Sequence, residues 1–215
     1  MNKIAAIFKN IIKICCTLYF KCRNKSTIIQ TGKNTLILST TIKSSQYKHN
    51  IINVGKNVSI RNCNFIFYGS CNRIYINDGA KLNNVTFWIE DEHNEIIIGE
   101  KTTFHGNCQL AACEGTTISI GNDCMFSHDV YIRTTDSHSI IKGDKRINLA
   151  KNINISNHVW IGMQCLILKG ANIPMGCIIG ARSIISSSEM QANCIYAGTP
   201  AKVVKKDISW KRERI

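Results

Sequence analysis

Proline is nearly absent from this chain, with two in 215 residues, and aromatic residues make up only 7%. A sandwich filled by bulky aromatic layers is therefore disfavoured, and the excess of β-branched residues favours strands. Acidic residues are about half as many as basic ones, 14 against 27, which leaves a net charge of +13. That surplus favours anionic partners such as phosphorylated cofactors, acidic polymers or a membrane surface. It is spread over termini and corners with no nucleic-acid motif beside it, which argues against nucleic acid. Cysteine is abundant, at 11 residues, yet no Cys-x-x-Cys and no His-x4-His pair occurs. The usual zinc spacings are thus missing, and no metal is expected. The odd cysteine count and the lack of a secretory leader give the expectation of reduced thiols in a cytoplasmic protein.

What is present is a period of six. Ile155, Ile161, Ile167, Ile173, Ile179 and Ile185 are evenly spaced, and upstream Val54, Ile76, Ile98 and Ile120 recur every 22 residues. Within the upstream units the apolar step is again six: Val54/Ile60/Ile66, Ile76/Leu82/Trp88, Ile98/Phe104/Leu110 and Ile120/Phe126/Ile132. A helix face recurs near 3.6 residues and cannot bury such a series. A chain that turns a corner every six residues can, and three steps close a triangular coil of about 18 residues. The extra four residues of the 22-residue units are expected to bulge as a corner. Cys124, Cys165 and Cys177 share one slot, four residues after an inward isoleucine, with Val58, Ala80, Thr102, Val159, Ala171 and Ser183. A thiol there serves as a small side chain inside a tight coil.

Along the chain, residues 1–26 form a basic segment in which Ile4, Phe8, Ile11, Cys15 and Leu18 follow helical spacing while Lys9 and Lys13 interrupt the apolar run. An amphipathic helix is expected, either on an anionic membrane surface or packed on the protein, and not a spanning helix. The β-helix occupies residues 27–200, with an irregular first coil over 27–52 in which no hexad register holds. The tail, residues 201–215, reads as a short basic helix. The rhythm breaks once, between Ile132 and Ile155. A long polar loop leaving a regular solenoid is more often functional than idle, so residues 133–154 are the first place to look for a site.

That loop holds His138, two residues after Asp136. A histidine accepts a proton near neutral pH, and a carboxylate on the same side of an extended segment can fix its tautomer. His49 and His93 lie on polar corners, and His105, His128 and His158 decorate the outer wall.

The runs His158-Val159-Trp160-Ile161-Gly162, Leu168-Lys169-Gly170, Ile178-Ile179-Gly180-Ala181 and Ala197-Gly198-Thr199-Pro200-Ala201-Lys202 resemble the hexapeptide-repeat acyltransferases. Phe126-Ser127, Arg133-Thr134-Thr135-Asp136-Ser137-His138 and Lys145-Arg146-Ile147-Asn148 resemble the branch that O-acetylates surface polysaccharides, sialic-acid capsules above all. The likeness covers about residues 54–206. It implies a left-handed parallel β-helix and an O-acetyltransferase that uses acetyl-CoA on a carbohydrate acceptor. It further implies a homotrimer with sites between subunits. By position, His138 matches the general base and Trp160 a tryptophan whose indole N–H faces the thioester. The resemblance places Gly162, Met163, Gly180, Ala181 and Ser186 along the pantetheine arm and Lys202 and Lys205 at the nucleotide phosphates. Tyr131, Arg133 and Arg146 are the candidate acceptor contacts. The usual Thr-Lys pair after the last hexad is Ser186-Ser187 here, and the next turn lacks its prolines.

Direct transfer, with His138 deprotonating the attacking hydroxyl, is the expected mechanism. A cysteine-linked intermediate is its rival, weakened because no cysteine falls within residues 133–154. Competing readings are an acetyltransferase for small sugars, nucleotide-linked sugars or an antibiotic, and a non-enzymatic scaffold or zinc lyase on the same fold. Association with the inner face of the membrane through residues 1–25 stays open beside a purely cytoplasmic location.

Overall fold

The computed structural model describes residues 26–44, 46–186 and 189–215, so the helix expected in residues 1–25 lies outside them. Every regular element among the described residues is a β-strand. Three sheets of seven, nine and seven strands, parallel except for the last strand of the second, run along the molecule, and the chain visits them in rotation. Each circuit lays one short strand on each wall and hydrogen-bonds to the circuit before it, giving a left-handed parallel β-helix of about seven turns.

The period-six isoleucines form the core as expected. Ile155, Ile161, Ile167, Ile173, Ile179 and Ile185 are all essentially buried. So is every member of the small-residue slot, from Val58 to Ser183. Like side chains stack on like: the rings of Phe65 and Phe87 lie 4.7 Å apart and those of Phe104 and Phe126 4.3 Å apart, both pairs nearly parallel. A larger residue in one coil therefore needs a fitting partner in the next, as close packing requires.

The structure departs from the expected register in four places. Ile66 and Trp88 do not face the core; Phe65 and Phe87 do, because the second corner of those two coils is one residue shorter than in the coil of Leu110. The first coil is regular: Thr27–Thr31 pairs in parallel with Asn50–Val54, Leu36–Leu38 with Ser59–Arg61 and Thr41–Lys43 with Asn64–Phe65-Ile66. The extra four residues per upstream coil do not simply bulge. They lengthen the third wall to strands of five or six residues, such as Asn64–Tyr68 and Val85–Glu90. A further buried layer of Phe67, Ile89 and Ala112 results. In the last coils the same wall shortens to the two-residue strands Leu166–Ile167 and Ile184–Ile185.

The long corner after the widened wall is closed by a buried ladder. The Asn72 main-chain N–H donates to Asn50 Oδ1 at 2.9 Å, Asn94 N–H to Asn72 Oδ1 at 2.8 Å and Thr116 N–H to Asn94 Oδ1 at 3.0 Å. The amide groups of Asn50 and Asn72 donate in turn to the Gly69 and Asp91 carbonyls. Backbone groups that a turn would leave unsatisfied inside the protein are thereby paired.

The fourth departure is the tail, which is not helical. Ala201–Lys205 folds back antiparallel on Ile195–Gly198 and closes the end of the second sheet. The chain then runs back over the outer face of that sheet, where Trp210 is buried. Arg212 donates to Asp123 Oδ1, Thr103 Oγ1 and the Cys124 carbonyl at 2.8–2.9 Å.

Candidate active site

The 133–154 excursion leaves from the end of the Tyr131–Arg133 strand on the third sheet and returns at Ile153–Ile155 on the first. It contains a small antiparallel hairpin, Ile141–Lys142 with Lys145–Arg146, whose turn places Gly143 at φ +59°. Its root is tied down. Thr134 and Thr135 are buried, and Thr135 Oγ1 donates to Glu114 Oε1 at 2.6 Å. Arg146 grips the same carboxylate with two nitrogens at 2.6 and 2.8 Å, the fork geometry in which such pairs are strongest.

Asn148 is the organising residue. Its Oδ1 accepts the Ile140 N–H at 2.7 Å, and its Nδ2 donates to the His138 carbonyl at 2.7 Å and to Asp136 Oδ2 at 2.8 Å. Lys169, from the next coil, donates to Asp136 Oδ2 and to the Asn148 carbonyl. These bonds fix the backbone on both sides of His138 and leave its imidazole exposed. A base held by its main chain, with a solvent-facing ring, can meet an acceptor hydroxyl without first breaking a protein contact.

Asp136 does not orient His138 in the way the spacing led us to expect. Its carboxylate is occupied by Lys169 and Asn148, which hold its pKa below the usual range. Asp136 is thus a strut of the loop. Arg146 is likewise committed to Glu114, and the hydrogen bond from Arg146 is the main reason that the Glu114 carboxyl also lies low. Arg133 donates to the Tyr131 hydroxyl at 2.9 Å and to Ser137, so two of the three candidate acceptor residues touch each other. Sequence reading missed the roles of Asn148, Glu114 and Lys169, because their partners lie 10 to 33 positions away and follow no period.

Trp160 stands on the second sheet, not the third, paired between Met125 and Ile178. Its ring packs against Trp210, with centroids 6.1 Å apart. Three buried side-chain polar atoms among the described residues lack a partner, and two belong to Arg133 (Nε) and Trp160 (Nε1). A buried donor without an acceptor costs about 1–3 kcal/mol, and such atoms mark places where a ligand group can complete the bonding.

Gly162, Met163, Gly180 and Ala181 come together on the corner between the second and third sheets. The Gly162 N–H donates to the Ile179 carbonyl and Arg182 N–H to the Met163 carbonyl, both at 2.8 Å. A Cβ at Gly162 would meet Ala181 N at 2.7 Å, so only glycine allows the coils to approach this closely. Ser186 and Lys202 line one groove of about 430 Å³ at the end of the helix, with Lys205 further along the same strand as Lys202. The groove sets apolar residues such as Ile185, Met190 and Val203 beside the cations of Lys202 and Lys206 and the carboxylate of Glu189.

Four of the buried thiols are poor nucleophiles. Burial pushes Cys63, Cys108 and Cys124 up to about 11, and burial with the neighbouring Glu90 carboxylate pushes Cys113 up to about 12. Among the described residues no group of three or more His, Cys, Asp or Glu side chains is placed to hold a metal ion.

No family model matches the chain. It is 34% identical over 199 residues to a polysialic acid O-acetyltransferase of Neisseria meningitidis, a match covering 82% of this chain and 92% of that one. It is 36% identical over 121 residues to the enzyme of the same description from Escherichia coli O1:K1, of which it spans only 39%. Among solved structures, the polysialic acid O-acetyltransferase OatWY superposes with a TM-score of 0.74 at 30% identity, covering 88% of this chain and 92% of that one. The polysialic acid-specific acetyltransferase NeuO does so with a TM-score of 0.55 at 27% identity, over 88% and 91%. Fold, repeat and likeness over nearly the whole of a relative agree: the chain belongs to the hexapeptide-repeat acyltransferases, in the branch of the polysialic acid O-acetyltransferases, and is an O-acetyltransferase.

Proposed function

We propose that this protein moves an acetyl group from acetyl-CoA to a sugar hydroxyl of an acidic capsular polysaccharide, polysialic acid being the acceptor its relatives name, by direct general-base catalysis. The observation that carries the proposal is the anchored excursion, which holds the main chain around His138 through Asn148 while its imidazole faces solvent. In this reading His138 takes the proton of the acceptor hydroxyl as its oxygen attacks the thioester carbonyl. The unpartnered Trp160 N–H donates to the carbonyl oxygen as charge develops on it. The tetrahedral adduct then expels the thiolate, which recovers the proton from the imidazolium. The raised thiol pKa values argue against a cysteine-bound intermediate.

His138 lies on the excursion from the third sheet and Trp160 on the second sheet of the same chain, which favours a site completed by a neighbouring subunit and hence a homotrimer. The excursion adds an apolar surface suited to such a neighbour, since Ile140, Ile141, Ile147 and Leu149 are each more than half exposed. Use of acetyl-CoA fits a cytoplasmic location.

The test is free-thiol release from acetyl-CoA in the presence of polysialic acid, repeated with His138→Ala. A loss of about 10²–10⁴-fold in kcat is expected, the usual range for a general base. Full activity in His138→Ala, or an acetyl group trapped on cysteine, would overturn the mechanism. Turnover confined to a small or nucleotide-linked sugar would overturn the acceptor.

A further inference from the structure

A second groove, of about 540 Å³, lies on the outer face of the second sheet over its early strands, well away from the excursion. Arg61, Lys81 and His105 line it together with Asn57, Ser59 and Asn83, and its lining contains no carboxylate. Among the described residues neither Arg61 nor Lys81 forms an ion pair; the Arg61 contact is Nε to Ser59 Oγ at 3.3 Å. Two cations on a flat wall without counter-charges are available to an anionic ligand.

The sheet register ties this groove to Trp160. Ser59 pairs with Lys81, Lys81 with Thr103, Thr103 with Met125 and Met125 with Trp160, so these residues form one outward column along the rod. Arg61 lies beside the column, opposite Asn83. Three strand steps separate Lys81 from Trp160, about 14 Å at the usual strand spacing. The tail crosses this column, with Arg212 donating to Thr103 Oγ1 and Trp210 packing on Trp160, so an extended polymer held at Lys81 and Arg61 on the early strands would run beside the tail.

We propose that this groove is a subsite for the anionic acceptor polymer, gripping carboxylate-bearing sugars some residues away from the one that is acetylated. The proposal rests on the acceptor reading above and adds a place and a charge requirement to it. Single-stranded nucleic acid is a poorer fit, because proteins that bind it stack its bases on exposed aromatic side chains, and the groove is lined by no Tyr or Trp and by one Phe, the buried Phe104.

The experiment uses the full chain and an Arg61→Gln/Lys81→Gln variant, with unfolding curves confirming that both are folded. Binding of α2,8-linked polysialic acid without acetyl-CoA is measured first. The variant is expected to bind about fivefold to tenfold more weakly, the scale of two rim ion pairs, and an Arg61→Lys/Lys81→Arg variant is expected to retain binding. In turnover, KM for the polymer rises by the same factor while kcat and KM for acetyl-CoA stay fixed, and a short sialic acid oligomer shows no change. Unchanged polymer affinity in the double Gln variant overturns the subsite. So does wild-type binding of single-stranded DNA or neutral dextran as tight as that of polysialic acid. Wild-type protein that binds the polymer through these residues but does not acetylate it would instead overturn the acceptor reading and leave the groove standing.

Discussion

His158 and Trp210 hold each other in both directions across 52 residues of chain: the Trp210 indole N–H donates to the His158 carbonyl at 3.0 Å, and His158 Nε2 faces the Trp210 carbonyl at 3.1 Å. Their rings stack 4.0 Å apart and nearly parallel. The other imidazole nitrogen lies 2.7 Å from Asp123, which also receives Arg212. Burial would raise the Asp123 carboxyl, but its bonds to His158 and Arg212 outweigh that and hold it low. The tail is thus fastened to the wall that carries Trp160.

Removing the stacked ring tests the fastening. Trp210→Ala is expected to cost about 2–4 kcal/mol, since a buried aromatic is lost together with its hydrogen bond. Denaturant unfolding would read this directly. Trp210→Phe, which restores the ring without the N–H, is expected to recover most of the loss.

The excursion should loosen in acid. Glu114 and Asp136 have depressed pKa values, chiefly through hydrogen bonds from Arg146 and Lys169 respectively. A carboxylate with a lowered folded-state pKa contributes stability above its ordinary value, here 4.5 and 3.8, that is lost as pH falls through the lowered one. Proteolysis or hydrogen exchange within residues 139–147 is therefore expected to accelerate below about pH 4 while the coils stay protected. Arg146→Gln should show the same loosening at neutral pH.

The buried thiols offer a chemical check on the core. With pKa values of about 11 to 12, Cys63, Cys108, Cys113 and Cys124 carry little thiolate at pH 8. Alkylation by iodoacetamide, followed by mass spectrometry, is expected to spare them until denaturant is added. Cys71 is partly accessible and should react first among the described cysteines.

Asn72 sits at the centre of the ladder, fully buried, with its carbonyl oxygen and amide both engaged. Asn72→Leu would strand the Asn94 main-chain N–H and the Asp91 carbonyl, at a cost of about 2–4 kcal/mol. A melting curve lowered by no more than a degree would contradict that.

The coil, its core isoleucines and the small-residue slot were legible because each repeats at a fixed step that only a turning strand can satisfy. The positions of Ile66 and Trp88 were misread for the same reason: one missing corner residue shifts the face by one, and composition carries no mark of it. The first coil escaped because its register shows only through pairing with the coil above. The Asn50/Asn72/Asn94 spacing was present in the sequence as a 22-residue period of a polar residue, and a search restricted to apolar positions passes over it. The excursion that holds His138 was legible as the break in the rhythm. The strut role of Asp136 was not, since Lys169 reaches it from another coil.

The ladder also decides where the excursion begins. It runs through three asparagines and ends at Thr116, whose hydroxyl lies 2.7 Å from that of Thr134; Thr134 Oγ1 also receives the Cys113 N–H. A threonine has no amide to offer a further rung, so the wide coil has no template for another turn at that height. The chain is released from its repeat at Thr134, four residues before His138. The upstream coils thus act as a counting device, setting the height along the rod at which the excursion leaves it. Inserting or deleting one whole coil should move His138 relative to the early strands without disturbing its own anchors.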